Sequence, residues 1–163
     1  MSSKREGIGM QTTMAICGLV AGVTMNATAQ DAAPANPAAA QDPANASLAD
    51  LYGYSDAVAA GGLVFFSGQV GFDENGKLPA DPEQQYRLAF AAVDEVLKKA
   101  GLSRSDLVEL LTFHTNYPQH MDVFMKAKKE FLNGVKPTWT AVGVAALGQP
   151  GTLVEIKATA RAR

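Results

Sequence analysis

Few residues in this chain have types and surroundings that suit chemistry. Glu155 stands in the stretch Thr152–Ala160, where Val154, Ile156, Ala158 and Ala160 alternate with Leu153, Glu155, Lys157 and Thr159. An alternation of period two puts one set on an apolar face of a strand and the other on the opposite face. Glu155 is then a lone carboxylate on its face, able to hold a water as general base; the plainer reading is a surface carboxylate beside Lys157. Trp139 is the only tryptophan and opens the run Trp139–Ala146. Its indole offers one N–H donor and a flat apolar face, which suits stacking on a planar or cationic ligand as well as simple packing. Gly68 interrupts the apolar run Leu63–Val70 after Ser67, and a glycine inside a strand marks a bulge or a close backbone approach. His114 alternates with Thr112 and Leu110 and reads as a sheet histidine, whereas His120, before a helix, reads as solvent-facing. With no carboxylate at ligand spacing beside them, the two histidines give no metal set, and no metal is expected.

The elements that must position these residues can be read in order. Tyr54–Ala60 and Leu63–Val70 flank Gly61-Gly62, a tight-hairpin signal. The second run is the most apolar after residue 30 and reads as a central strand. Asp73-Glu74-Asn75-Gly76 is a turn. A helix follows, with Asp81 as cap, Pro82 in the first turn and Gln84 three residues after the cap. Tyr86, Ala89, Phe90, Val93, Val96, Leu97 and Ala100 recur at helical spacing, and Gly101 stops the helix. Leu107–Thr115 is a strand. A second helix from Pro118 carries Met121, Phe124, Met125, Lys128, Phe131 and Leu132 on one stripe, with Met121 and Met125 expected in the core, and ends at Gly134. Gly148-Gln149-Pro150-Gly151 joins the last two strands, which read as a hairpin. The order β-β-α-β-α-β-β is an α+β layout with helices on one face of a mixed sheet. The other face needs cover, and a second copy of the chain is the expected cover.

The first 29 residues read as a secretory signal peptide. Lys4 and Arg5 precede the uncharged run Met14–Val23, and Ala27-Thr28-Ala29 gives a small-x-small cleavage pattern. The run is too short for a stable membrane span. A disordered cytosolic N-terminus is the alternative; a lipidated Cys17 is set aside because Met14-Ala15-Ile16 suits it poorly. Cys17 is the only cysteine, so no internal disulfide is available. Residues 30–47, rich in Ala, Pro, Asn and Asp, cannot bury enough surface to order themselves and read as a tether. Residues 48–163 form the domain, expected in the periplasm or outside the cell and free of the membrane once the leader is cleaved. Loss of Lys4, Arg5 and Glu6 with the leader leaves a net charge of −3, against −2 for the whole chain, which argues against nucleic-acid binding.

The segments LVFFSGQVGFD, LKKAGLS, TFHTN, PTWTAVGVAAL and LVEIKATA, in this order, resemble the Rid family of reactive intermediate deaminases, also called the YjgF family. The resemblance covers about Tyr54 to Arg161. It implies a chorismate-mutase-like fold, a homotrimer with small-molecule clefts between subunits, and hydrolysis of enamines and imines without metal or cofactor. It also implies site roles for Tyr54, for the Ser67-Gly68 backbone, and for Glu155 as the residue positioning the water. The deaminase pattern Pro-x-Arg-(Thr/Ser), whose arginine grips a substrate carboxylate with a bidentate fork, reads Pro137-Thr138-Trp139-Thr140 here. Indole cannot replace that fork; the sequence resembles an arginine-less branch of the family, whose pattern also has tryptophan here and Phe-His-Thr in the middle strand. Two functions follow: a hydrolase acting on a small imine or enamine, and a non-catalytic module binding a small molecule outside the cytoplasm. Ribonuclease activity, attached to some relatives, is disfavoured by the net charge.

Overall fold

The computed structural model describes residues 51–163. The leader, Cys17 and the tether of residues 30–47 lie outside the described residues.

Five strands and two helices follow the order expected from the sequence. Strands β1 (Ala57–Ala60) and β2 (Leu63–Phe66) form the hairpin over Gly61-Gly62, both at positive φ. Helix α1 (Pro82–Lys99) begins where Asp81 Oδ2 accepts the Gln84 backbone N–H at 2.9 Å, and Gly101 ends it at φ 71°. Tyr86, Ala89, Phe90, Val93, Val96 and Leu97 form its buried face. Strand β3 (Leu107–His114), helix α2 (Met121–Leu132), β4 (Thr138–Gly143) and β5 (Val154–Arg161) complete the domain.

The sheet order is β1-β2-β5-β3-β4, which corrects two expectations. The last two strands are not a hairpin: β5 is antiparallel to both β2 and β3, and β4 lies beyond β3, parallel to it. The reason is the β3-α2-β4 crossover, since a strand–helix–strand unit lays its second strand parallel beside the first. That leaves β5 to fill the gap between β2 and β3. β5, not β2, is therefore the centre of the sheet, and Val154, Ile156, Ala158 and Ala160 are buried to 1% exposure or less.

Both helices cover one face. Leu110, Thr112 and His114 of β3 and the even-numbered residues of β5 point toward them. Phe124 of α2 sits edge-on to Tyr86 and to His114, with ring centroids 5.4 and 4.5 Å apart. Met125 is 41% exposed, so it is not a core residue; the buried stripe is Phe124, Ala127, Lys128 and Phe131. Gln85, also buried, ties the helix layer to two loops. Its Nε2 donates to the carbonyls of Pro79 and Gly151, and its Oε1 accepts the Leu153 N–H at 2.6 Å. The opposite face of the sheet is open and carries Val58, Phe65, Val108 and Val142, each at least a third exposed.

Candidate active site on the open sheet face

Strand β2 stops at Phe66, and the chain beyond it runs on beside β5. Only Gln69 stays paired there, its N–H and C=O exchanging 2.9 Å bonds with Ile156. Because Ile156 faces the core, its neighbour Glu155 must face the open side. Ser67-Gly68 passes directly over Glu155: a Cβ on Gly68 would fall on the carboxylate, within 2.6 Å of Cδ. Glycine at 68 thus makes the room in which the carboxylate lies. The Ser67 N–H donates to Asp56 C=O at 2.9 Å, and its hydroxyl donates to Ser55 C=O at 2.6 Å. These bonds anchor the segment to the entry of β1 and leave the Ser67 hydroxyl lone pairs free to accept.

Around Glu155 lies a cavity of about 320 Å³. Its walls are Val58 and Phe65 on the apolar side, with Ser67, Gly68, Glu155 and Lys157 on the polar side. This volume suits a small metabolite. Three of the expected site residues, Ser67, Gly68 and Glu155, are brought together here. Tyr54 is not among the wall residues; it precedes β1 and is 39% exposed. Lys157 is a further polar wall residue, one to which the sequence alone gives no role. Its signal was its place two residues after Glu155 on the same strand face.

Trp139 lies on the other side of the sheet. β4 pairs with β3 so that Trp139 is opposite Leu110, which faces the helices. Its indole lies 6.1 Å from the Phe124 ring, and Lys128 Nζ sits 2.9 Å from the indole centroid, a cation–π contact. Within one chain, Trp139 and Glu155 do not share a cavity. Lys128 is 9% exposed, and burial lowers its pKa. Thr112 Oγ1 binds three partners: it donates to Thr140 C=O at 3.3 Å, accepts the Trp139 Nε1–H at 3.0 Å and meets His114 Nε2 at 2.9 Å. His114 is a satisfied sheet histidine, 2% exposed, and burial lowers its pKa. His120 is half-buried rather than fully solvent-facing, at the N-terminus of α2 with φ 64°.

The model of the Endoribonuclease L-PSP family matches residues 44–162. The chain belongs to this family, the Rid (YjgF) family of the sequence resemblance. It is 40% identical over 109 residues to the RutC family protein YjgH of Escherichia coli K12, covering 66% of this chain and 82% of that protein. It is 32% identical over 111 residues to a protein of the same organism named "Putative reactive intermediate deaminase TdcF", covering 66% of this chain and 84% of that one. The solved structure of YjgH superposes with a TM-score of 0.63 at 39% identity, over 71% of this chain and 88% of that one. E. coli TdcF with bound serine gives a TM-score of 0.63 at 31% identity, over 68% and 88%. The fold is the chorismate-mutase-like α+β fold of this family.

Proposed function

We propose that this protein binds a small metabolite beside Glu155 and hydrolyses an enamine or imine in it, without metal or cofactor. One observation carries the reading: the Glu155 carboxylate lies in the space left by Gly68, in a cavity of metabolite size. The name borne by TdcF supports the reaction class. Glu155 holds a water and takes its proton as the oxygen attacks the imine carbon. Glu155 passes that proton to the substrate nitrogen, giving the carbinolamine; the carbinolamine hydroxyl then gives up its own proton, which reaches the nitrogen as the C–N bond breaks, so ammonia leaves and the carbonyl product remains. Ser67 accepts a hydrogen bond from the substrate nitrogen through its free lone pairs. Binding without catalysis, outside the cytoplasm, is the second reading.

The open face bearing Val58, Phe65, Val108 and Val142 is covered by further copies of the chain in a homotrimer, whose clefts bring Tyr54 of a neighbouring copy within reach of the cavity. Residues 1–29 direct the protein to the periplasm or medium. The test is release of pyruvate and ammonia from freshly generated 2-iminopropionate by the full chain and by Glu155→Gln. Acceleration by the wild type and a loss of at least about 100-fold in the variant are expected. A wild type that leaves the spontaneous rate unchanged overturns the hydrolase and leaves the binding module.

A further inference from the structure

We infer that Lys157 is the anion-binding residue of the Glu155 cavity, taking a substrate carboxylate through a single charge-assisted contact. This inference rests on the functional reading above and adds to it a residue that fixes specificity. The position where the family's deaminases place an arginine fork holds Trp139, and its indole is turned to the helix side and engaged with Thr112, Phe124 and Lys128. The cavity wall therefore has no guanidinium. It has Lys157, its only cation among the described residues.

The placement suits a small planar acid. Glu155 and Lys157 are consecutive residues on one face of β5, so their backbones are about 6.7 Å apart. In a 2-imino acid the carboxylate carbon is one bond, about 1.5 Å, from the carbon that water attacks. A water held by Glu155 and an ammonium contacting the carboxylate must then lie within one short span of the same face. Lys157 has the charge free for this: it makes no ion pair among the described residues, although Glu155 is two residues away. Its strand partner is Leu111, and Phe113 is opposite Glu155; the one β3 carboxylate on this face, Glu109, is opposite Thr159, and no ion pair joins it to Lys157. Lysine is a point charge on a flexible stem, so it recognises the anion without the orienting geometry of a fork. The contact is made equally in the ground state and the transition state, and its loss should appear in KM rather than kcat.

The experiment uses the full chain, Lys157→Met and Lys157→Arg. Turnover of 2-iminopropionate is measured together with calorimetric binding of pyruvate and of its neutral isostere pyruvamide. The expected result in Lys157→Met is a KM and a pyruvate Kd raised about 10-fold or more, the loss of one charge-assisted bond. The expected kcat stays within about 2-fold, pyruvamide binding is unchanged, and Lys157→Arg restores pyruvate binding. Turnover with a KM indifferent to Lys157→Met overturns the role of Lys157 and leaves the hydrolase standing. A fall in kcat at constant KM also overturns it, because Lys157 would then act by positioning Glu155. Pyruvate binding that depends on Lys157 without any turnover supports the anion site and overturns the hydrolase. Neither turnover nor pyruvate binding overturns both.

Discussion

Gly68→Ala separates the placement of the Glu155 carboxylate from the stability of the fold. An alanine Cβ at 68 lands on the carboxylate, 2.6 Å from Cδ and 2.7 Å from Cγ of Glu155. Ordinary contact between carbons begins near 3.4 Å, so the carboxyl group must retreat by about 1 Å. Only side-chain atoms are in the way, and Gly68 does not have a positive φ, so the backbone accepts alanine. Moving Glu155 off its rotamer costs about 0.5–1.5 kcal/mol, and Gly→Ala returns about 0.4–1 kcal/mol by restricting the unfolded chain. The terms nearly cancel, and Tm should stay within a few degrees. Catalysis should not survive as well, because a displacement of 1 Å at the reacting group removes about 100-fold. Gly71→Ala is the contrast. Its Cβ would meet the Gln85 carbonyl in helix α1 and lie 3.1 Å from the Ala89 nitrogen, so the backbone must move at a cost of about 1–3 kcal/mol or more. Thermal melts and 2-iminopropionate turnover of the two variants decide the matter. Full turnover in Gly68→Ala refutes the claim that the carboxylate works where it lies. A melting temperature that falls as far as in Gly71→Ala refutes the claim that only a side chain yields.

Three further outcomes follow from the packing. Trp139→Arg, which restores the family's fork residue, sets a guanidinium against the buried Lys128 and removes the indole from Phe124; chemical denaturation should show a loss of about 3 kcal/mol, partly recovered by Lys128→Met in the same chain. Gln85→Ala leaves the Leu153 N–H and the Pro79 and Gly151 carbonyls without their partner, and should lower stability by about 2–3 kcal/mol with hydrogen exchange at Leu153 accelerated. The Arg104 guanidinium bonded to Asp94 at 2.7 Å, with Lys98 beside it, holds the carboxyl of Asp94 at a pKa of about 2. Because that pKa lies below the unfolded value, the contribution is present above about pH 4 and is lost as pH falls toward 2; after solvent screening it amounts to about 1–2 kcal/mol, and urea midpoints of Asp94→Asn should lack that part of the acid slope.

Local signals in the sequence located the elements, and non-local ones decided how they pair. The α1 boundaries were legible because Asp81, Pro82, Gln84 and Gly101 act within one or two turns. The facing of β5 was legible because Glu155 and Lys157 contrast with Val154, Ile156 and Ala158. The partner of β5 was not, since alternation fixes a face and says nothing of the neighbour. A better guide to β4 was the strand–helix–strand order β3-α2-β4, which calls for parallel neighbours; that order leaves open whether β5 joins the outer edge of β4 or, as it does, the gap between β2 and β3. The phase of β4 was hidden for a different reason. Thr138, Thr140 and Val142 on one face and Trp139, Ala141 and Gly143 on the other show no contrast of polarity. Met125 is exposed because the buried stripe of α2 is narrower than its apolar residues suggest: Phe124 and Lys128 are buried while Met125, one residue round from Phe124, is at the edge.

The orientation of Trp139 changes what its replacement of the family arginine means. An indole free to swing could serve a ligand, but this one is held at three points: by its N–H to Thr112, by the Phe124 ring and by the Lys128 ammonium. Thr112 is itself engaged by three partners, the Thr140 carbonyl, the Trp139 N–H and His114 Nε2. Turning the indole would strand a buried hydroxyl and uncover Lys128, whose charge has no ion-pair partner among the described residues. The tryptophan therefore belongs to the packing of α2 on the sheet, and His114 belongs to the same network rather than to catalysis. The proposed chemistry then falls to the opposite face, where Gly68 leaves room for Glu155 and Lys157 lines the same cavity. A substrate recognised there is selected by a mobile ammonium and not by a rigid fork, so the cavity should accept acids of varied shape more readily than a fork-bearing site does.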